Sequence, residues 1–280
     1  MMKKITIAII LLTLLFTNLS CNVKKNDDKP KDQEHTFFTT LYLIGDSTMA
    51  DYISYYDSKE DYIKKKYPIT GWGQVFQQFM QSDSLLKLRN IIKNDSVYVD
   101  NRARGGRSTR SFFQEGRWRS VYQSLKKDDI VMMQFGHNDA SSNKIDRYVD
   151  IKGYKEFLRL FVNQTRDKGA IPIILTPVAI NKSWQDGILG DVHGEYGKAP
   201  KDVAKELDVM LIDLNKKSKD FFTKTGKEYV TQKYFMNLPP DTYEAYPDGL
   251  SDNTHFQSEG ATEVAKLVYI GLQELNITSN

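Results

Sequence analysis

Phe38-Thr39-Thr40-Leu41-Tyr42-Leu43-Ile44-Gly45-Asp46-Ser47-Thr48 runs from an apolar, β-branched segment straight into a glycine and a serine. Seven such residues, bounded by a turn signal, read as a strand buried on both faces. Gly45 lets the chain turn sharply, so Ser47 emerges at the carboxyl end of that strand. That is a favourable site for a nucleophile, although a serine that merely caps a following helix has the same sequence.

Outward from this run, short apolar segments recur at residues 97–99, 130–135, 171–175 and 209–214, and each reads as a further buried strand. Helical spacing lies between and after them. Tyr154, Phe157, Leu158, Phe161 and Val162 fall on one stripe that Gly169 ends. Ala261, Val264, Ala265, Val268 and Leu272 form a second stripe, with Ser258 as its expected cap. Alternating strands and helices predict a three-layer α/β/α sandwich with a parallel sheet, because every parallel crossover needs a covering helix. Two connections, 177–200 and 226–253, lack periodicity and are expected to wall a substrate cleft.

With 280 residues, 40% hydrophobic and 27% charged, the chain can bury one core and gives no sign of a second. A formal net charge of +3 supplies no basic field for nucleic acid. Met1-Met2-Lys3-Lys4 and the apolar run 5–16 read as an export signal over residues 1–20, since the run is too short to span a bilayer. Cys21, the only cysteine, follows at the cleavage position and resembles the lipid-carrying residue of a bacterial lipobox, although Asn18 stands where leucine is usual. Residues 21–36 then form a polar tether and residues 37–280 the catalytic domain. The expectation is an exported, membrane-anchored bacterial lipoprotein, monomeric, that meets the membrane only through its lipid.

Two further strand ends carry candidate chemistry. The second is followed by Gly105-Gly106-Arg107-Ser108, and the third by Gly136-His137-Asn138-Asp139. Glycines and Asn-Asp after strands are also ordinary turn residues and helix starts. Their joint placement is what counts, because open α/β sheets bind ligands beyond the carboxyl ends of their strands where strand order reverses. If the first strand lies between the second and third, the Ser47 and Gly106 N–H groups and the Asn138 amide meet at one point, as an oxyanion hole requires.

A serine needs a base. Asp252-Asn253-Thr254-His255 places a carboxylate three residues before an imidazole, close enough to fix its tautomer and stabilise the imidazolium. Asp32 and His35 repeat the spacing, but inside the tether, where nothing holds a base in place. His137 is expected to support the Asn138 loop, and His193 stands as a reserve base. No zinc helix, P-loop, dinucleotide turn or G-x-S-x-G elbow is present, so no metal or organic cofactor is implied.

Gly45-Asp46-Ser47, Gly106, Gly136-His137-Asn138-Asp139 and Asp252-x-x-His255 together resemble the four motif blocks of the SGNH/GDSL hydrolases, in order and across nearly the whole chain after the leader. Gly106-Arg107-Ser108-x-Arg110-Ser111, Phe135-Gly136-His137-Asn138-Asp139 and Thr254-His255-Phe256 are most similar to the rhamnogalacturonan acetylesterases of carbohydrate esterase family 12. The resemblance implies a flavodoxin-like sheet of five parallel strands and removal of acetyl groups from pectic polysaccharide. It also implies Ser47 as nucleophile, His255 as base, Asp252 as its orienter, and Ser47 N–H, Gly106 N–H and Asn138 as oxyanion donors, in agreement with the reading from the residues.

Arg102, Arg104, Arg107, Arg110, Arg117 and Arg119 crowd the stretch after the second strand. Arg107 and Arg110 are candidates for binding the carboxylates of an acetylated polysaccharide, and Trp72, Trp118 and Trp184 for stacking on sugars, Trp184 being the one put forward, although each also suits packing. An acetylxylan, another glycan or a lipid ester as substrate stays open, as does a surface lipoprotein that binds glycan without catalysis.

Overall fold

The computed structural model describes residues 38–278. The expected signal, Cys21 and the tether lie outside the described residues. Strands run in the order β1 (Phe38–Gly45), β2 (Ser96–Asn101), β3 (Ile130–Gln134), β4 (Ile171–Leu175), β5 (Trp184–Gln185), β6 (Ile188–Leu189), β7 (Met210–Ile212), β8 (Phe235–Leu238) and β9 (Leu250–Phe256). β1, β2, β3, β4 and β7 form one parallel sheet in the order β2-β1-β3-β4-β7, and β5-β6 and β8-β9 are small antiparallel hairpins. The first strand therefore lies between the second and third, and the strand order reverses there.

Helices α1 (Lys59–Lys65) and α2 (Ser82–Leu85) precede β2, and α3 (Thr109–Gln114) and α4 (Arg117–Ser124) precede β3. Helix α5 (Ile151–Asp167) joins β3 to β4 and α6 (Glu195–Leu207) leads into β7; α7 (Leu214–Thr225), α8 (Lys227–Tyr229) and α9 (Ser258–Thr278) follow. Alternate residues of β1 separate the two cores. Leu41 and Leu43 pack on one face with Phe222, Val264 and Val268, whereas Tyr42 and Ile44 pack on the other with Trp118, Leu158 and Phe161. This period of two, with helices on both sides, is the physical content of the three-layer sandwich.

Two details differ from the sequence reading. Ser258 does not cap α9: the Gln257 carbonyl accepts from the Ala261 N–H, and the Ser258 hydroxyl meets that of Thr70 at 3.0 Å. The two long connections are also structured. The first contains the β5-β6 hairpin and the start of α6, with Pro200 inside that helix, and the second contains α8, a π-helical turn (Val230–Tyr234), β8 and the start of β9. Apolar periodicity cannot reveal elements of two to five residues, because too few side chains repeat.

Gly71-Trp72-Gly73 braces the turn that carries Ser47. The Trp72 and Gly73 N–H groups donate to the Thr48 and Met49 carbonyls at 2.9 and 3.1 Å. Fully buried, Trp72 donates its indole N–H to Gln134, whose amide donates in turn to the Thr48 hydroxyl. A Cβ on Gly71 would lie 2.2 Å from the Ala50 carbonyl oxygen, which is backbone and cannot rotate away. Gly71→Ala is therefore expected to destabilise the protein by about 1–3 kcal/mol through overpacking. Urea unfolding checks this, and an unchanged midpoint would show that the turn yields freely.

Candidate active site

Ser47 follows the end of β1, and Asp252 and His255 lie within β9. The Ser47 hydroxyl lies 2.9 Å from His255 Nε2, and His255 Nδ1 lies 2.6 Å from Asp252 Oδ2. The Asp252 Oδ1 atom accepts from the backbone N–H groups of Thr254 and His255, which fixes the carboxylate relative to the ring. Partial burial alone would raise the Asp252 pKa; the bonds and charge of His255, together with these two amides, outweigh it and hold the carboxyl below its usual range. An ionised Asp252 accepts a hydrogen bond from the Nδ1–H, so Nε2 presents its lone pair to Ser47. The β8-β9 hairpin makes this possible: it carries both residues back across 208 positions of sequence to the nucleophile.

Three donors near Ser47 either lack an acceptor among the described residues or have a hydrogen to spare. Among the described residues neither the Ser47 nor the Gly106 backbone N–H has a hydrogen-bond acceptor. Gly106 holds φ at +78°, a left-handed conformation that suits glycine. Its neighbour Gly105 donates to the Tyr55 hydroxyl at 2.8 Å, and Tyr55 carries the Arg104 guanidinium 3.5 Å from its ring centre. The Asn138 amide spends one hydrogen on the Arg107 carbonyl at 3.1 Å, and its oxygen accepts from Arg147 at 3.3 Å, which leaves the second hydrogen for a ligand. Ser47, Gly106, Asn138 and His255 line one cleft of about 500 Å³, a size ordinary for small-molecule sites.

The turn itself hangs on a buried ion pair. Asp46, with no exposure, accepts from the Thr48 N–H and hydroxyl through Oδ1 and binds His137 Nδ1 at 2.9 Å through Oδ2. His137 Nε2 donates to the Val178 carbonyl, so His137 reaches beyond the Asn138 loop and ties the turns after β1, β3 and β4 together. Burial opposes both charges, but their mutual attraction wins, lowering the pKa of Asp46 and raising that of His137. Asp139, also buried, accepts from the Thr109 N–H and hydroxyl and from the Gly136 N–H, pinning the start of α3 to the β3 turn. Burial, against the Thr109 bonds, pushes its pKa up to about 7.

The arginines after β2 do not line the cleft. Arg107 and Arg117 share Glu115, Arg102 pairs with Asp100, and Arg110 donates to the Ile145 carbonyl. Acids on their own segment and a neighbouring loop carbonyl claim them first, and Arg107 contributes its carbonyl rather than its charge. The cations that line the cleft are Lys144, Arg147 and Lys182, from the connections after β3 and β4. Nothing in their local sequence marks them, since loop path alone brings them there. Trp118 is buried against Phe161. Trp184 does not face Ser47; it lines an adjoining depression, with its indole N–H bonded to Asn181.

His193 lines the cleft but is bonded to Asn215 and Asp191, not to Ser47. Of the two long connections, only the first walls the cleft, through Ile180, Lys182, Val192 and His193; the second instead carries the hairpin that delivers Asp252. Among the described residues no cluster of His, Cys, Asp and Glu could hold a metal ion, and no helix is long and apolar enough to cross a membrane.

These parts compose a serine hydrolase site. The geometry allows Ser47 to attack a carbonyl carbon while His255 Nε2 takes its proton, in a cleft that Gly106 and Asn138 also line. The same nitrogen can then return the proton to a leaving alcohol and deprotonate the water that clears the acyl group. The chain belongs to the GDSL-like lipase/acylhydrolase family, whose model matches residues 41–268. It is 37% identical over 237 residues to a protein of Bacillus subtilis named rhamnogalacturonan acetylesterase RhgT, covering 85% of this chain and 90% of that one. A second Bacillus subtilis protein, named probable rhamnogalacturonan acetylesterase YesY, is also 37% identical, over 85% of this chain and 94% of its own. The crystal structure of YxiM from Bacillus subtilis superposes with a TM-score of 0.68 at 25% identity, over 88% of this chain and 59% of that chain.

Ser47→Ala is expected to lower kcat on p-nitrophenyl acetate by roughly three to six orders of magnitude, and Asn138→Ala by about two to three, with both variants folded by circular dichroism. Near-normal turnover in Ser47→Ala would remove that residue from the chemistry.

Asp46→Asn should cost about 3–5 kcal/mol by stranding the His137 charge. Because the folded Asp46 pKa lies below its ordinary 3.8, its contribution is complete above that pH and disappears as pH falls through the depressed value. Because the His137 pKa lies above its ordinary 6.5, its contribution is complete below that pH and disappears as pH rises through the raised value. The gap in thermal midpoint between wild type and Asp46→Asn should therefore be widest between these limits and close towards acid. A gap independent of pH would contradict the ion pair.

Proposed function

We propose that this chain is a carboxylic ester hydrolase that removes O-acetyl groups from plant cell-wall polysaccharide, with acetylated rhamnogalacturonan as its substrate and an acetyl-enzyme on Ser47. The observation that carries this reading is the hydrogen-bonded relay from Ser47 through His255 to Asp252, in a cleft that Gly106 and Asn138 also line. Two relatives named for this activity match most of the chain at 37% identity. The cleft adds a physical argument: its titratable lining consists of histidines, Lys144, Arg147 and Lys182, with no carboxylate. A site with that charge balance favours a polymer whose backbone carries uronic acid over a neutral glycan.

The same proposal includes export behind the segment 1–20, anchorage through a lipid on Cys21, and action as a monomer. The charged start, apolar run and lone cysteine of the sequence support the first two.

Acetate release from a panel of acetylated polysaccharides tests the substrate. Release from acetylated rhamnogalacturonan should exceed that from acetylated xylan at least about tenfold in kcat/KM, with a KM that rises with salt because charge attraction is screened. The opposite preference, or a KM indifferent to salt, would overturn the pectic reading.

A further inference from the structure

Beyond Lys182 the cleft opens into a second depression of about 480 Å³, lined by Lys182, Trp184, Lys227, Asn237, Ser251 and Asn253 among others. Lys182 lines both hollows, and Asn253 lies two residues before His255, which lines the first, so the two adjoin. We propose that this depression is a binding subsite for the polysaccharide chain beyond the acetylated sugar, and that it takes a uronate-bearing residue. The proposal rests on the substrate reading given above and extends it to a part of the surface that does no chemistry.

The hydrogen bonds around the depression show what it offers a ligand. Asn253 Oδ1 accepts from two amides, Asn181 Nδ2 at 2.7 Å and Asn237 Nδ2 at 3.0 Å. Two donors at the oxygen fix which way the Asn253 amide points, so its nitrogen is the free end, without an acceptor among the described residues. Ser251 donates to Asn237 Oδ1, which completes that amide on its acceptor side. The Lys182 and Lys227 ammonium groups have no carboxylate partner among the described residues, and no acid lines the depression. The groups left unspent are thus donors and cations, beside a partly buried indole that packs on the core and whose N–H is bonded to Asn181. With its polar edge occupied, Trp184 offers a ligand only ring surface, which suits the apolar face of a pyranose, while the lysines suit a carboxylate.

Trp184→Ala and Lys227→Ala in the full chain test this. Each should lower the ratio of kcat/KM on acetylated rhamnogalacturonan to that on p-nitrophenyl acetate by about five- to twentyfold, through KM rather than kcat. Titration of Ser47→Ala with de-esterified rhamnogalacturonan oligosaccharides should show a matching loss of affinity when either substitution is added. An unchanged ratio overturns the subsite, as does an equal fall on both substrates, which would mean that Trp184 only props the catalytic loop through Asn181. Oligosaccharide affinity indifferent to both substitutions, or absent altogether, overturns it as well. Failure of the substrate reading appears elsewhere: wild type would release no acetate from acetylated rhamnogalacturonan, whatever the titrations give.

Discussion

The Asp46 carboxylate, sealed from solvent between the nucleophile turn and the β3 loop, holds the site in register. One oxygen takes both donors of Thr48 and so shapes the turn that presents Ser47; the other takes His137, whose far nitrogen reaches the β4 connection. Three strand ends are thereby locked to one another by two side chains, Asp46 and His137. Burying a carboxylate and an imidazolium is expensive in isolation, and the arrangement is tolerable only because both are hydrogen-bonded on every side the structure supplies. The same bonds leave the Ser47 N–H without a competitor, so the fold prepares an anion site before any substrate arrives.

Around that lock the chain divides its labour. The sheet supplies positions, because parallel neighbours place the turns after β1, β2 and β3 side by side. The β8-β9 hairpin supplies reach, carrying the acid and base from the far end of the sequence and supporting them on short antiparallel pairing. Loops after β3 and β4 supply character: Lys144, Arg147 and Lys182 give the cleft its positive lining. Arg147 also donates to the Asn138 amide oxygen, so one guanidinium both lines the cleft and orients that amide. Arg110 takes no part in the cleft but bonds to the backbone of the loop that carries Lys144 and Arg147.

The sequence by itself determined the layers and the chemistry. Five buried strands were legible because burial on both faces leaves continuous apolar runs, and the α5 and α9 stripes because a helix repeats its inward face every three or four residues. Ser47, Gly106 and Asn138 stood out in the sequence because each follows a strand, and Asp252 and His255 because of their spacing, and the structure brings the nucleophile, Gly106, Asn138 and His255 to one cleft. Only the tertiary structure decided which charges line the cleft and which tryptophan lies near it. Arg107 and Arg110 sit close to the site in sequence yet turn to Glu115 and Ile145, whereas Arg147 and Lys182 arrive on irregular loops. The physical reason is range: an apolar pattern reports the local choice between core and solvent, but the partner a charge finds depends on chain segments brought together only when the loops close.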